Sequence, residues 1–384
     1  MERIVILGGG FAGLTLATEL DRFAADGKAE VTLVERNAWF QMGFSMQWVL
    51  ADRRTPEQGQ RPYSALRAPH VRFLYDEVAS IDTNARIVHT KAHDLKYDRL
   101  VVALGAELAL ELVPGLAEGA YNLCDVSSIL HLKQAVSISK GGTILILVSS
   151  VPFKCPPAPY EYAFLIDDLL RQRGVRDTVR LLVTTPEPQP MPLAGKTVGD
   201  AIKAMLAGRG IEFHPTRKPK LVDPERRVVS YEDGSNLEYD ILAAMPPHRA
   251  PRVVRDAGLT DASGFVPVKL GTFASEVSGV YAVGDVAAIK LPAGNPHPKA
   301  GVFAEAQALV VARTLAAELG AGPATTYPGT GVCFIDVGQG KAVPAEIFLL
   351  EAGGPRFVLG PPSEAGLEGK RRFEREHFEQ WFGA

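Results

Sequence analysis

Apolar positions along this chain fall into short runs of strand length, and several are followed by a stretch with helical spacing. RIVIL (3–7), apolar from Ile4 on, predicts a buried strand, and the helical pattern after it extends to Phe23. AEVTLVERN (29–37) predicts a second strand and LVVALGAEL (100–108) another. The alternation returns in the middle of the chain. There TILILV (143–148) predicts a strand, YAFLIDDLLRQRG (162–174) a helix, and RLLVTTPEP (180–188) a further strand. SEVSGVYAVGDVAAI (275–289) ends in one more apolar strand, and HPKAGVFAEAQALVVARTLAAEL (297–319) predicts a long helix entered through Pro298. Continuous apolar strands alternating with helices are what a parallel sheet covered on both faces requires. The end of the chain differs. GTGVCFIDVGQGKAVPAEIFLL (329–350) predicts a hairpin, and EGKRRFEREHFEQWFGA (368–384) a helix. That helix carries Phe373, Phe378, Trp381 and Phe382 beside Lys370, Arg371, Arg372 and Arg375. Its aromatics spread over about half the helical wheel with Glu374 among them, so packing on the protein and contact with a membrane interface fit equally well.

Composition narrows the picture. A length of 384 residues suits two or three domains. A hydrophobic share of 46% allows a large core. The net charge of −3 gives no electrostatic reason to bind nucleic acid. The three cysteines, Cys124, Cys155 and Cys333, form no CxxC pair, which excludes a disulfide scaffold and a zinc site of the usual spacing. No apolar run nears the roughly 18 residues of a membrane helix, and MERIVILGGG is not a signal peptide. The expected location is cytoplasmic, or peripheral on the inner face of the cytoplasmic membrane.

Gly8-Gly9-Gly10-Phe11-Ala12-Gly13 stands between the first strand and its helix. In that context a GxGxxG run is a dinucleotide cradle. Gly8 permits the turn, Gly10 lets a pyrophosphate approach the backbone, and Gly13 lets helix and strand pack closely. Glu35, followed by Arg36, ends the next strand 35 − 13 = 22 residues beyond the last glycine, where an acid grips a ribose. The middle unit has no such loop. Its turn reads Ser149-Ser150-Val151-Pro152-Phe153-Lys154-Cys155-Pro156-Pro157, without glycine and with prolines that remove N–H donors. The reading is a kept fold and a lost nicotinamide site.

Gly284-Asp285 at a strand end resembles the second flavin motif of the two-dinucleotide-binding-domain flavoproteins. The resemblance implies FAD, with Asp285 on its ribityl chain, Ala103 and Gly105 near the adenine side, and Lys299 and Gly301 where a helix begins beside the flavin. The implied fold class is α/β, with two Rossmann-like dinucleotide-binding domains and a small C-terminal region. The FAD domain (1–110 and 268–320) is interrupted by a second, NAD-like domain (111–267), and the C-terminal region covers 321–384.

Within that class, VPFKCPPAPYEYAFLIDDLL (151–170) resembles the sulfide:quinone oxidoreductases and the flavoprotein subunit of flavocytochrome c sulfide dehydrogenase, which carry a redox cysteine at this turn. Cys155 aligns with that cysteine, Cys333 with its partner, and Cys124 with a further cysteine where some members attach FAD covalently. The resemblance implies a Cys155/Cys333 disulfide or persulfide centre that oxidises sulfide and passes electrons through FAD to a quinone. Lys154 and the helix opened by the turn are expected to favour the Cys155 thiolate. Glu161 is a candidate proton carrier, its plainer reading being a helix-start acid. His248 and His297 are candidate polar site residues, their plainer reading being surface loop histidines. Two histidines expected from the quinone-linked enzymes have no counterpart in Asp125-Val126-Ser127-Ser128 or Pro190-Met191-Pro192-Leu193. A soluble acceptor such as a cytochrome c subunit, and a flavin-thiol sensor without turnover, remain open alternatives. Oligomerisation is open as well.

Overall fold

The computed structural model describes residues 1–320 and 322–383. The chain opens with strand β1 (Glu2–Leu7), helix α1 (Phe11–Ala25), strand β2 (Ala29–Glu35) and a short helix α2 (Ser45–Leu50). Strands β3 (Arg72–Tyr75) and β4 (Arg99–Val102) follow. The middle of the chain supplies β5 (Tyr121–Asn122), α3 (Val126–Ile138), β6 (Gly142–Val148), α4 (Ala158–Gln172), β7 (Val179–Thr184), α5 (Gly195–Ala207), β8 (Ile211–His214) and β9 (Ile241–Met245). Then come β10 (Val280–Ala282), α6 (Gly301–Glu318), β11 (Thr330–Asp336), β12 (Ala342–Phe348), β13 (Arg356–Leu359) and α7 (Glu364–Phe382).

Two five-stranded parallel sheets result. The first runs β10-β4-β1-β2-β3, so a strand from late in the chain returns to the edge of the sheet begun at the N-terminus. The second runs β5-β9-β6-β7-β8. Their central strands are buried along nearly their whole length, as Ile4–Leu7 and Ile144–Val148 show. That is why they lack the alternation of a half-solvated sheet. The predicted α/β class with two Rossmann-like units is what forms.

Boundaries move by a few residues from those expected. The middle helix starts at Ala158, with Pro157 as its N-cap. The late helix starts at Gly301, so Lys299 lies in the extended segment before it rather than on its first turn. The expected hairpin is a three-stranded antiparallel sheet, β11-β12-β13.

Helix α7 corrects the interface-helix alternative for its aromatics. Phe378, Trp381 and Phe382 are buried with Leu14, Phe40, Met42 and Tyr63. Phe373 lies against Phe11 and Phe44. Leu367 packs with Trp48 and Ala342. The apolar face of α7 is therefore spent on the protein, and its exposed basic residues Arg371, Arg372 and Arg375 lie near Glu368 and Glu376. Among the described residues no helix is long and apolar enough to cross a membrane.

Candidate active site

The β1–α1 turn is built as a cradle. Gly8 has φ +99°, and a Cβ there would press on the carbonyl of Ala103 on the neighbouring strand connection. A Cβ on Gly13 would strike the Gly8 carbonyl. Gly10 faces open space within 4 Å of where its Cβ would stand. Glu35 closes the turn: its Oε2 accepts from Gly9 N at 2.8 Å and its Oε1 from Asn37 N at 2.8 Å. A carboxylate offers about four lone-pair sites, so acceptor capacity remains for a ribose hydroxyl. Ala12 is buried under the turn. Phe11 points its ring into the aromatic cluster of α7, 5.1 Å from Trp381. Arg36 is exposed and pairs with Glu77. Gly105 has φ +67°.

The β10 end lies on the same sheet. Gly284 N donates to Gln307 Oε1 of α6 at 2.8 Å, and Asp285 follows in a single helical turn, Gly284–Val286. Asp285, Lys299, His297 and Gln307 line one recess. Lys299 is 7% exposed, not solvated; its ammonium donates to the Asp285 and Ala287 carbonyls and sits over the Phe265 ring. Burial pulls its pKa down to about 8. His248 and His297 are also buried, against the surface reading, and burial pulls both down to about 4. Nδ1 of His248 lies 2.7 Å from the Pro246 carbonyl, while its Nε2 is buried without a partner among the described residues. These residues fit FAD. The open face at Gly10 suits a pyrophosphate, Glu35 a ribose and Asp285 a hydroxylated chain. The orphaned His248 nitrogen shows that the interior has polar capacity the polypeptide leaves unused.

In the middle unit the start of α4 differs from a phosphate-binding helix start. Of residues 156–161, Pro156, Pro157 and Pro159 carry no N–H. The other three N–H groups are consumed within the turn, Ala158 N by Cys155 O and those of Tyr160 and Glu161 by Pro157 O. The anion-binding amides usual at a helix N-terminus are therefore absent.

Cys155 has φ +58° and its N–H donates to Lys299 O at 2.8 Å, which pins the cysteine turn to the segment that precedes α6. Cys333 lies on β11, packed near Ala300 and Phe303 of the same region. Cys124 shares with Cys155 the core beneath the second sheet. All three are free, partly buried thiols. Burial pushes each thiol pKa up, that of Cys333 to about 12. The expected role of Lys154 is corrected here. Its charge bears on Cys124 and His248, whereas the leading cation on Cys155 and Cys333 is Lys370 of α7. The helix-start amides expected to favour a Cys155 thiolate are bonded within the turn.

Glu161 stands in the first turn of α4, as its plainer reading has it, and is 1% exposed. It accepts from Gln47 Nε2 of α2 at 2.7 Å, from Asp336 N of β11 at 2.8 Å and from Lys370 Nζ at 2.6 Å. Lys370 also donates to Gln47 Oε1 at 2.8 Å. Gln47 and Lys370 carry no motif that sequence reasoning could seize.

Comparisons with known proteins agree with this architecture. Residues 2–147 match the family model described as pyridine nucleotide-disulphide oxidoreductase. Residues 128–246 match that of the central part of the sulfide dehydrogenase [flavocytochrome c] flavoprotein chain. The mitochondrial sulfide:quinone oxidoreductase of Dictyostelium discoideum is 26% identical over 368 residues, 90% of this chain and 77% of that protein. A type II NADH:quinone oxidoreductase of Staphylococcus haemolyticus is 25% identical over 310 residues, 77% of each chain. The crystal structure of the sulfide:quinone oxidoreductase of Aquifex aeolicus superposes with TM-score 0.86, at 22% identity, over 99% of this chain and 91% of that one. Fold and cradle thus define an FAD-dependent oxidoreductase with two dinucleotide-type domains. Within that class the chain is similar to the sulfide:quinone oxidoreductases and, over residues 128–246, to the central part of the flavocytochrome c sulfide dehydrogenase flavoprotein chain.

Proposed function

We propose that the protein oxidises sulfide at a Cys155/Cys333 centre and passes the electrons to a quinone. The observation that carries this reading is the turn that replaces the phosphate loop: Cys155 sits at its centre, hydrogen-bonded to Lys299, with Cys333 among the groups whose charge acts on it. Gly8, Gly10, Gly13, Glu35 and Asp285 would hold FAD, with Ala103, Gly105 and Gly301 alongside. FAD, when bound, supplies a two-electron acceptor able to hand electrons on. In the oxidised pair, hydrosulfide attacks one sulfur of the disulfide. The S–S bond breaks, a persulfide remains on one cysteine, and the other leaves as thiolate. Partial burial would keep water from competing at the sulfurs, and Glu161 would exchange protons with the site. Cys124, in the same core as Cys155, would serve as a flavin-attachment or auxiliary thiol.

The domain division is read as an FAD domain of 1–110 and 268–320, a second domain of 111–267 and a C-terminal region from 321. The likeness of residues 128–246 to the flavocytochrome chain favours a second reading, the same sulfur chemistry with a cytochrome c as acceptor. Steady-state turnover of sulfide with a soluble quinone analogue, run beside cytochrome c, separates the two. Absence of turnover with both acceptors overturns sulfide oxidation.

A further inference from the structure

We propose that Lys370 of the C-terminal helix is the positioning residue of the sulfur site: its ammonium, held by Glu161 and Gln47, is the fixed counter-charge for thiolate formed at Cys155 or Cys333. This rests on the thiol reading of the site above and adds a residue to it.

Lys370 is 4% exposed. Two of its three donors are assigned, to Glu161 at 2.6 Å and Gln47 at 2.8 Å, and the ammonium lies 5.2 Å from the Phe44 ring centroid and 5.9 Å from that of Trp48. A buried lysine–glutamate pair is poor glue, since apolar residues of like volume often hold a structure equally well. Its position suggests another use. Glu161 lies six residues after Cys155 and bonds the amide of Asp336, three residues after Cys333, so the pair sits between the two cysteine segments. The groups acting on Cys155 are Glu161 from α4, Cys333 from β11, Cys124 from the turn before α3, and Lys370 from α7. Glu161 and a neighbouring thiolate both oppose charge on sulfur, and Lys370 is the cation that favours it. When the disulfide is cleaved, the leaving sulfur takes the bonding pair and becomes negative. Lys370 offsets that charge while keeping all its protons, and no bond to it forms or breaks.

The test uses reduced, FAD-containing protein, with neither sulfide nor quinone present. Alkylation of Cys155 by iodoacetamide is followed by mass spectrometry across pH 7 to 10. Lys370→Gln leaves the Glu161 charge unbalanced beside the sulfurs, and alkylation at pH 8 is expected to slow about tenfold, the effect of one pKa unit. Lys370→Arg is expected to remain within about threefold of wild type. The double variant Glu161→Gln/Lys370→Gln removes both charges, and its rate is expected to return to within about threefold of wild type. If Lys370→Gln alkylates at the wild-type rate, or the double variant is as slow as the single, the counter-charge role is wrong and the pair is merely structural. Should Lys370→Gln not fold, Glu161→Gln is compared with the double variant: the single is expected to alkylate about tenfold faster, since it keeps the Lys370 charge, and equal rates overturn the role. A Cys155→Ser control identifies the alkylated residue. Because the readout contains no substrate, it stands or falls separately from sulfide oxidation.

Discussion

The carboxylate of Glu161 on α4 accepts the backbone N–H of Asp336 on β11 at 2.8 Å, so one side chain ties the segment carrying Cys155 to the segment carrying Cys333. Removing it strips a buried amide, a glutamine and a lysine of their common acceptor. Glu161→Ala is expected to destabilise the fold by about 3–5 kcal/mol, the cost of leaving a buried charge unpaired. Denaturant unfolding of purified protein measures it. A loss under about 1 kcal/mol would show that water replaces the carboxylate.

Cys155→Ser and Cys333→Ser should each abolish reduction of the flavin by sulfide while leaving FAD bound. A hydroxyl carries no persulfide and is a poor nucleophile at neutral pH. The double variant should lose no more than either single one, since the residues act as a unit. Anaerobic stopped-flow absorbance reads this directly, and a wild-type rate in Cys155→Ser would make that residue a packing group.

NADH and NADPH are expected to leave the flavin oxidised. Every N–H of residues 156–161 is either missing or bonded inside the turn, so a second pyrophosphate finds no donors at the start of α4. Rapid bleaching by either nucleotide would refute the loss of that site.

Gly10 and Gly13 should fail differently. Gly10→Glu meets open space, so the chain should fold but lose FAD, because the carboxylate occupies the pyrophosphate position. Gly13→Ala drives a methyl into the Gly8 carbonyl, so it should lower thermal stability even without flavin. Flavin content and apoprotein melting temperature distinguish the two effects.

Glu187, just beyond β7 and near Tyr160 and Thr185, has its pKa pushed up to about 7 by burial. Its folded-state pKa exceeds the unfolded value, so between about 4.5 and 7 the native state holds the extra proton. Stability from this group is therefore full below about pH 4.5 and is lost as pH rises through 7. Glu187→Gln should remove that decline, stabilising the protein at pH 8 by up to about 3 kcal/mol relative to its effect at pH 4.5. Parallel urea titrations at the two pH values check the sign.

What was legible in the sequence was local. The glycine cradle, the acid at the end of β2 and the proline-rich cysteine turn each declare themselves within a few dozen residues, because backbone geometry there depends on neighbours in the chain. Strand identity was legible for the same reason. The surroundings of the thiols were not. Lys154 adjoins Cys155 in sequence, and sequence reasoning gave it the part that Lys370 takes. The choice is made by the packing of α7 across α2 and β11, which no short-range pattern encodes. His248 and His297 looked like solvated groups because each was read as a loop residue, yet the surrounding segments bury both.

The partner of Glu161 lies 209 residues further along the polypeptide. During synthesis the cysteine turn, both parallel sheets and even β11 leave the ribosome before the lysine that balances them. Until α7 docks, the growing chain must keep Glu161 in contact with water, because an unpaired carboxylate is not stable in that interior. A chain halted before residue 370 would carry Glu161 without its lysine.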